Sequence, residues 1–189
     1  MSLDAAELTV GANGSINIAS YGTTLPTDID EALHADFLEL GYVTEDGVTF
    51  KDGKTIEGKK AWQSFYDVRK IVTARDAMVK FTLEQWNRFT VILAFGGGAV
   101  TDTANGVKYE PPNPEEIDER SAVIAWTDGD KDYRIVIPKC IVADDVETNL
   151  KRTDLALLPI TLGVIGVDGS KPWTFLTNDP NWELTGTAS

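Results

Sequence analysis

Three aspartates at alternate positions, Asp128, Asp130 and Asp132, form the most motif-like group of the chain. Such a run opens the calcium loop of an EF-hand, where the sixth position is glycine and the twelfth is glutamate. Here the sixth position is Tyr133 and the twelfth is Lys139. The pattern therefore favours a turn between two strands over a calcium site.

The remaining reactive residues are too few to build a catalytic or metal site. Cys140 and His34 are the single cysteine and the single histidine. A cysteine nucleophile needs a neighbouring base, and one histidine cannot form a multi-histidine metal site. Gly96-Gly97-Gly98 is followed by no Gly-Lys-Ser/Thr, so these glycines are predicted to end a helix and not to bind phosphate. We predict no enzyme, no cofactor and no metal ion.

The charge of the chain is strongly negative and unevenly distributed. There are 17 basic and 30 acidic residues among 189, which gives a net charge of −13. Residues 1–50 hold nine acids and no base, residues 51–109 hold ten bases and six acids, and residues 110–132 are acidic again. This balance disfavours nucleic-acid binding and anionic membrane surfaces. Bands of opposite charge favour association with a second copy, although a solvated surface explains them as well.

The length and the cysteine count suit one domain without disulfides. The N-terminus has no basic region followed by an apolar run, so no signal peptide is predicted. The longest apolar stretch, Leu155 to Val167, contains a proline and falls short of the about 20 residues that cross a bilayer.

Strands dominate the first half of the chain. Residues 7–19 read as two strands around an Asn-Gly turn, and residues 20–36 read as a loop. Four glycines in residues 41–61 indicate a long loop or a floppy hairpin. Residues 66–83 read as one long strand. Its apolar residues change from even to odd positions, which predicts a bulge or a change of buried face near Arg75-Asp76.

A single helix is predicted in the middle of the chain. Thr82 to Gln85 fits a capping box, with Thr82 as the N-cap. The apolar stripe that follows predicts a helix over residues 83–95, which the three glycines end. Residues 96–120 contain three prolines and are predicted to be a connection.

The second half returns to strands. Residues 122–127 and 133–142 are predicted to form a hairpin. Residues 146–153 alternate between polar and apolar side chains, as in a strand with one face buried. Residues 157–165 form another predicted strand, with Pro159 at an edge or a bulge. A short strand over residues 173–176 precedes the tail. The fold class is therefore mainly β with one α-helix (α+β): an antiparallel β-sandwich or partly closed barrel with a flanking helix.

Several segments, in their order along the chain, resemble the major tail proteins of long-tailed, non-contractile bacteriophages (siphophages). The likeness covers roughly residues 36–182 and departs from the family around residues 99–119. It rests on these stretches: Leu40 to Val48 (LGYVTEDGV), Ala61-Trp62-Gln63, Phe81 to Glu84 (FTLE), Tyr133 to Pro138 (YRIVIP), Val146-Glu147-Thr148, Lys151 to Thr161 (KRTDLALLPIT), Lys171-Pro172-Trp173 and Thr177 to Pro180 (TNDP).

The resemblance implies a structural subunit of the tail tube. Residues 1–189 would form a single domain, with an N-terminal arm and first strands over 1–36, a long inter-ring loop over 41–61 and a C-terminal tail over 177–189. Six copies would form a ring, and rings would stack into a tube in which the inner sheets join into a barrel around the lumen. Genomic DNA would pass through without specific binding. Assembly in the host cytoplasm would place the chain in the virion tail, in contact with the tape measure, tail terminator and distal tail proteins.

The resemblance also implies two sets of surface residues. Contacts between subunits or rings are expected at Glu45, Asp46, Val48, Phe50, Lys54, Ile56, Trp62 and Trp182. The strand predicted over residues 146–153 resembles the inner sheet of the family. Its polar face is therefore expected to line the lumen, with Glu147, Asn149, Lys151 and Thr153.

Two other functions are left open by the residues. One is the tube protein of a contractile injection system, which a sheath would surround. The other is a soluble ligand-binding β-sandwich, which would stay monomeric or dimeric.

Overall fold

The structure of the chain is a computed structural model, which describes residues 8–11 and 13–182. The strands and helices follow one another in this order: β1 Asn13–Ser20, β2 Leu38–Glu39, β3 Thr49–Lys60, β4 Asp67–Leu83, α1 Arg88–Ala94, β5 Ala99–Thr103, β6 Gly106–Glu110, β7 Arg120–Asp128, β8 Lys131–Val142, β9 Leu158–Val164, β10 Thr174–Thr177 and a 3₁₀-helix Pro180–Trp182.

One antiparallel sheet contains eight of the ten strands, in the order β2-β1-β7-β8-β9-β4-β3 with β10 attached to β8. The long β8 carries both branches, since it pairs with β10 at Tyr133 to Val136 and with β9 at Cys140 to Val142. The ends of the sheet, β2 and β3, do not pair with each other among the described residues, so the sheet is not a closed barrel. The predicted mainly-β fold with a flanking helix is confirmed.

The main core lies between the β1-β7-β8 part of the sheet and the β4-β9 part, with α1 packed against it. Alternate apolar residues of the strands supply it, as the period of two requires. Its fully buried members include Ile16, Ile18, Val79, Leu83, Leu93, Ile137, Leu158, Ile160 and Leu162.

A second, smaller core covers the opposite face of the β1-β7-β8 part. Val123 of β7 and Val136 of β8 pack there with Phe37, Leu25 and Leu33, which come from the loop between β1 and β2. The central strands are therefore buried on both faces.

Several predicted elements are confirmed. The β7–β8 hairpin turns at Gly129, whose φ of +62° suits glycine. Strand β9 buries Leu158, Ile160 and Leu162 on one face. Strand β8 pairs with β9 only from Leu162 to Val164. Pro159 therefore lies at a part of β9 that β8 does not reach, as the predicted edge position requires. Strands β4 and β10 also lie where the sequence predicts them.

The N-terminal prediction of two strands is wrong within the described residues. Asn13 and Gly14 do not form a turn; they open β1 and pair with Thr127 and Trp126 of β7. Pairing along the whole of β7 keeps this segment extended, which overrides the local turn preference of Asn-Gly. Residues 1–7, 12 and 183–189 lie outside the described part, so the N-terminal arm and most of the C-terminal tail stay predictions.

The predicted helix start is also wrong. Thr82 and Leu83 belong to β4 and pair with Pro159 and Leu158. The actual N-cap is Asn87, whose Oδ1 accepts hydrogen bonds from the amides of Phe89 and Thr90, both at 2.9 Å. Strand pairing with β9 is a tertiary interaction that the local capping pattern cannot reveal, and it moves the helix start to Arg88.

Two further predictions fail in the second half of the chain. Residues 96–120 are not only a connection, since β5 and β6 form a separate two-stranded hairpin there. Residues 146–153 form no strand. Strand β8 ends at Val142, and its edge there is occupied by β9, so the alternating segment that follows cannot pair with β8.

Candidate assembly surface

A two-stranded arm, residues 51–76, is exposed along most of its length. Strand β4 pairs with β9 only from Met78 to Leu83. The part of β4 that precedes Met78 pairs only with β3. The ribbon extends about 30 Å at about 3.3 Å per residue. Nearly every residue of the arm is exposed, whereas Ala77 and Val79 just above it are buried. A two-stranded ribbon without a packed face is marginally stable in water by itself.

The arm corrects the prediction of a long loop over residues 41–61. Thr49–Lys60 is strand β3, so the hairpin alternative describes this part better than the loop. Glycine and charged residues lower strand propensity, but continuous pairing with β4 outweighs that preference. Within residues 41–61, only residues 41–48 and Ala61 lie outside a strand, and Val43 forms one bridge with Leu83.

A β-bulge keeps the apolar side chains of the arm on one face. Thr55 pairs with Ala74 and Ile56 pairs with Val72, so Thr73 is the extra residue. The bulge places Val72 on the same face as Arg75 and Ala77, which explains the change from even to odd apolar positions. The predicted bulge is confirmed, two residues from Arg75. We call this side, with Lys54, Ile56, Lys70, Val72 and Arg75, the basic–apolar face of the arm.

The arm is basic on an acidic protein. Residues 51–76 carry seven bases and four acids, a net charge of +3, and the remaining 10 bases and 26 acids give −16. Two cross-strand pairs join like charges, Lys54 opposite Arg75 and Lys59 opposite Arg69. Such pairs destabilise an isolated ribbon. The one salt bridge of an arm cation among the described residues joins Lys59 and Glu57, at 2.8 Å.

Three aromatic side chains at the tip of the arm lie in solvent. Trp62 is 100% exposed, Phe65 98% and Tyr66 84%. The turn itself is ordered by the Ser64 amide, which donates to Ala61 O at 3.1 Å, and by the Ser64 hydroxyl, which donates to Tyr66 O at 3.0 Å. A fixed turn that presents three uncovered rings is typical of a protein-binding surface.

An open cleft of about 920 Å³ lies on the body of the subunit. Its floor reaches the core residues Ile16, Ile124 and Ile135, and its rim carries the exposed carboxylates of Glu39 and Glu45. Among the described residues that line it there is no Lys or Arg. The remaining apolar lining comes from Tyr42, Val43, Val48, Phe50, Ala125 and Trp126.

The segment 41–48 forms one wall of this cleft and is held by backbone hydrogen bonds. The Thr44 amide donates to Thr82 O and the Glu84 amide donates to Tyr42 O, both at 3.0 Å. Gly41 has a φ of +82°, and a Cβ there would collide with Gln85, whose Oε1 accepts from the Tyr42 amide at 3.3 Å. The wall is therefore a fixed part of the body.

The C-terminal segment is anchored on β8 and β10. Trp182 stacks on Phe175 with ring centroids 5.0 Å apart and stays 64% exposed. Asp179 is buried and accepts hydrogen bonds from the Tyr133 hydroxyl at 2.9 Å and from Lys131 Nζ at 3.1 Å. Burial acts to raise the pKa of Asp179, but hydrogen bonds from the Asn181 amide, Lys131 and Tyr133 outweigh it and lower the pKa below its usual value.

The structure separates the predicted contact residues into different places. Lys54, Ile56 and Trp62 lie on the arm, whereas Glu45, Val48 and Phe50 line the cleft. Phe50 also packs edge-to-face on Trp173 at 5.0 Å and is half-buried. Asp46 lines a smaller groove beside Asp144 and Asp145, and Trp182 lies at the C-terminal segment.

The structure also exposes Tyr42 and Tyr66, two aromatic residues that sequence reasoning did not single out as candidates for contact between copies. A usable signal is the density of aromatic residues in Trp62 to Tyr66 (WQSFY) between two charged strands. No local pattern distinguishes Tyr42 from a core residue.

The predicted lumen residues Glu147, Asn149, Lys151 and Thr153 are all exposed. They lie in an irregular segment, so the strand alternation that placed them on one face does not apply. Lys151 instead forms a salt bridge with Asp154 at 3.6 Å. Their position in the lumen stays a prediction.

The described residues contain no cluster of three or more His, Cys, Asp and Glu that could hold a metal ion. Burial raises the pKa of the Cys140 thiol to about 12, and the Sγ donates to Arg120 O at 3.4 Å. No helix of the described part is long and apolar enough to cross a bilayer.

Comparison with known proteins identifies the family. The family model of the phage tail tube protein matches residues 1–187. None of the curated proteins matches the chain in sequence. Among solved structures, a chain from the virion of a native gene transfer agent (GTA) particle superposes with a TM-score of 0.48 at 8% identity, covering 89% of this chain and 98% of that chain. At this score the likeness assigns no role to any residue. The family match extends over almost the whole chain and confirms the resemblance seen in the sequence; the chain belongs to the phage tail tube protein family.

Proposed function

We propose that this chain, which its family makes a structural protein of the virion tail, self-assembles into rings of six that stack into the tail tube. In this proposal the arm is the principal contact between copies. The observation that carries the proposal is the arm itself. Its tip presents three rings that the rest of the described chain leaves uncovered, and its two strands oppose like charges that an acidic partner would neutralise.

Open strand edges support the ring. Strand β3 forms one end of the main sheet, and β2 at the other end is only two residues long, so most of β1 beside it has a free edge. Free edges are templates for pairing with another chain. In the proposed ring the edges of neighbouring copies meet, so that six sheets enclose one channel.

The proposal also includes the DNA that passes through the channel and the proteins that contact the tube. Genomic DNA passes through during delivery without specific binding, and the ends of the tube contact the tape measure, tail terminator and distal tail proteins. A net charge of −13 supports passage, since few cations are available to hold phosphates. We propose no catalytic role, because the buried Cys140 thiol is protonated at neutral pH and the single histidine, His34, is exposed on a loop.

The lumen assignment is tested separately. Glu147→Lys adds two positive charges per copy, or twelve per ring of six. In the lumen these would retain DNA and lower genome delivery, with the effect falling as salt rises. Normal tails with unchanged delivery at low and high salt would remove Glu147 from the channel.

Electron microscopy of the purified chain over a concentration series tests the assembly proposal. We expect rings and tubes with six subunits per ring, and a sedimentation profile that shifts with concentration. A strictly monomeric species at high concentration, without rings or tubes, would contradict it and would favour a soluble binding module.

A further inference from the structure

We propose that the basic–apolar face of the arm docks in the cleft of a second copy of this chain. The inference rests on the proposed self-assembly and specifies which surface receives the arm.

The two surfaces are chemically complementary. The arm face carries Ile56 and Val72 among three cations, Lys54, Lys70 and Arg75. The cleft has an apolar floor and two exposed carboxylates at its rim, Glu39 and Glu45, with no cation among the described residues that line it. Cations of one copy therefore meet carboxylates of the other while the apolar residues meet each other, an arrangement that favours the correct partner and register.

Within the described chain, two cations of the arm have no anionic partner. Directly opposed Lys54 and Arg75 repel each other, and neither has a salt bridge among the described residues. An acidic rim on a second copy converts this repulsion into attraction for both. The two opposed cations thus destabilise the free arm, and an anionic partner would stabilise it.

The chain leaves its own arm uncovered. The arm leaves the body at Lys51, next to Phe50 of the cleft wall, yet Ile56 remains 47% exposed and Val72 53%. A second copy can supply the missing cover. The three rings at the tip are not part of the basic–apolar face. Covered by a second copy, they would bury about 450–750 Å² at about 150–250 Å² each, compared with the about 800 Å² per partner of a stable interface.

Charge reversal with rescue tests the docking. Lys54→Glu with Arg75→Glu keeps a like-charged pair but reverses the sign of the arm face. Glu39→Lys with Glu45→Lys reverses the rim of the cleft. Each pair alone should raise the critical concentration for assembly at least about tenfold, because like charges then meet at the interface. All four substitutions in one chain should return it to within about threefold of the wild type.

The arm supplies its own matched control. Lys59→Glu with Arg69→Glu makes the same change of charge on the other like-charged pair, which strand alternation places on the opposite face. Assembly of this control should stay within about threefold of the wild type. The docking proposal is overturned if the fourfold variant assembles no better than either double variant, or if the control is as defective as Lys54→Glu with Arg75→Glu.

Cysteine cross-linking gives a second readout that does not depend on charge. Ile56→Cys on one batch of protein and Val48→Cys on another should form mixed disulfide dimers when the batches assemble together. The native Cys140 is fully buried and does not interfere. Ile56→Cys mixed with Ile117→Cys, which is exposed outside the cleft, should give none.

The outcomes separate the two proposals. Tubes that form without a mixed disulfide dimer between the Ile56→Cys and Val48→Cys variants would overturn the docking and leave the assembly proposal standing. A wild-type chain that forms no rings or tubes would overturn both.

Discussion

Ile56 and Val72 lie directly opposite each other in β3 and β4, and each is about half exposed. They lie on the face that Phe50 and Val79 turn toward the core. Val72 reaches this face because Thr73 is an extra residue in β4, which shifts the in–out alternation by one. The core face of the sandwich therefore extends onto an arm where this copy of the chain provides nothing to pack against. This relationship is the basis of our proposal that the arm is a surface for assembly.

Removal of the arm should separate folding from assembly. In a variant that lacks residues 54–75 and joins Gly53 to Asp76 through Asn-Gly, a two-residue turn closes the hairpin at an existing cross-strand pair. We expect a cooperative thermal unfolding transition close to that of the wild type, and no tubes by electron microscopy. Loss of cooperative unfolding would mean that the arm belongs to the folding core.

The aromatic tip should matter only between copies. Trp62→Ala with Phe65→Ala removes two side chains that are fully exposed in the subunit, so the free energy of unfolding should change by no more than about 0.5 kcal/mol. Tube formation, followed by sedimentation, should be lost. Leu158→Ala is the contrasting variant, since it empties a fully buried site and should cost about 2–5 kcal/mol. Full assembly of the double variant would remove the tip from the interface.

The helix cap distinguishes the structure from the local sequence pattern. Asn87→Ala removes the side chain that accepts from the Phe89 and Thr90 amides and should cost about 1 kcal/mol in chemical denaturation. Asn87→Asp should retain most of the stability. Thr82→Val removes the hydroxyl of the predicted cap but keeps a β-branched residue in β4, so its cost should be below that of Asn87→Ala. The reverse order of these two variants would support a helix that begins after Thr82.

Protonation of Asp179 at low pH should destabilise the attachment of the C-terminal segment to β8. Its folded pKa is lowered, so the stabilisation is complete above the unfolded value of about 3.9 and is lost as the pH falls through the folded pKa. Asp179→Asn should lower stability at pH 7 and flatten the decline between pH 4 and pH 2, measured by denaturant unfolding. Asp154→Asn, which removes an exposed carboxylate paired with Lys151, is the control and should leave the profile unchanged. An equally steep decline in Asp179→Asn would assign the acid sensitivity to other groups.

Part of the surface was predictable from the sequence. The scarcity of reactive residues and the band of net positive charge at residues 51–109 lie in the composition, and the aromatic residues around Trp62 lie in the spacing. Their arrangement was not predictable, because the cleft is built from β1, β7 and the segment 41–48, which meet only in the folded chain. Glu45 thus appeared within one predicted loop and Trp62 directly after it, whereas the structure places them on a cleft rim and an arm tip.

The sequence by itself determined the apolar face of two strands, since alternation over residues 77–83 and 158–164 requires nothing beyond neighbouring residues. Tertiary structure decided which of these stretches found a partner. Residues 146–153 alternate, but β9 occupies the edge of β8 next to them, while the poorly strand-forming residues 49–60 are held as a strand by β4. Thr82 has the pattern of a helix cap but pairs with Pro159. Strand pairing is a non-local hydrogen-bonding requirement, so it overrides local preference wherever an edge is available.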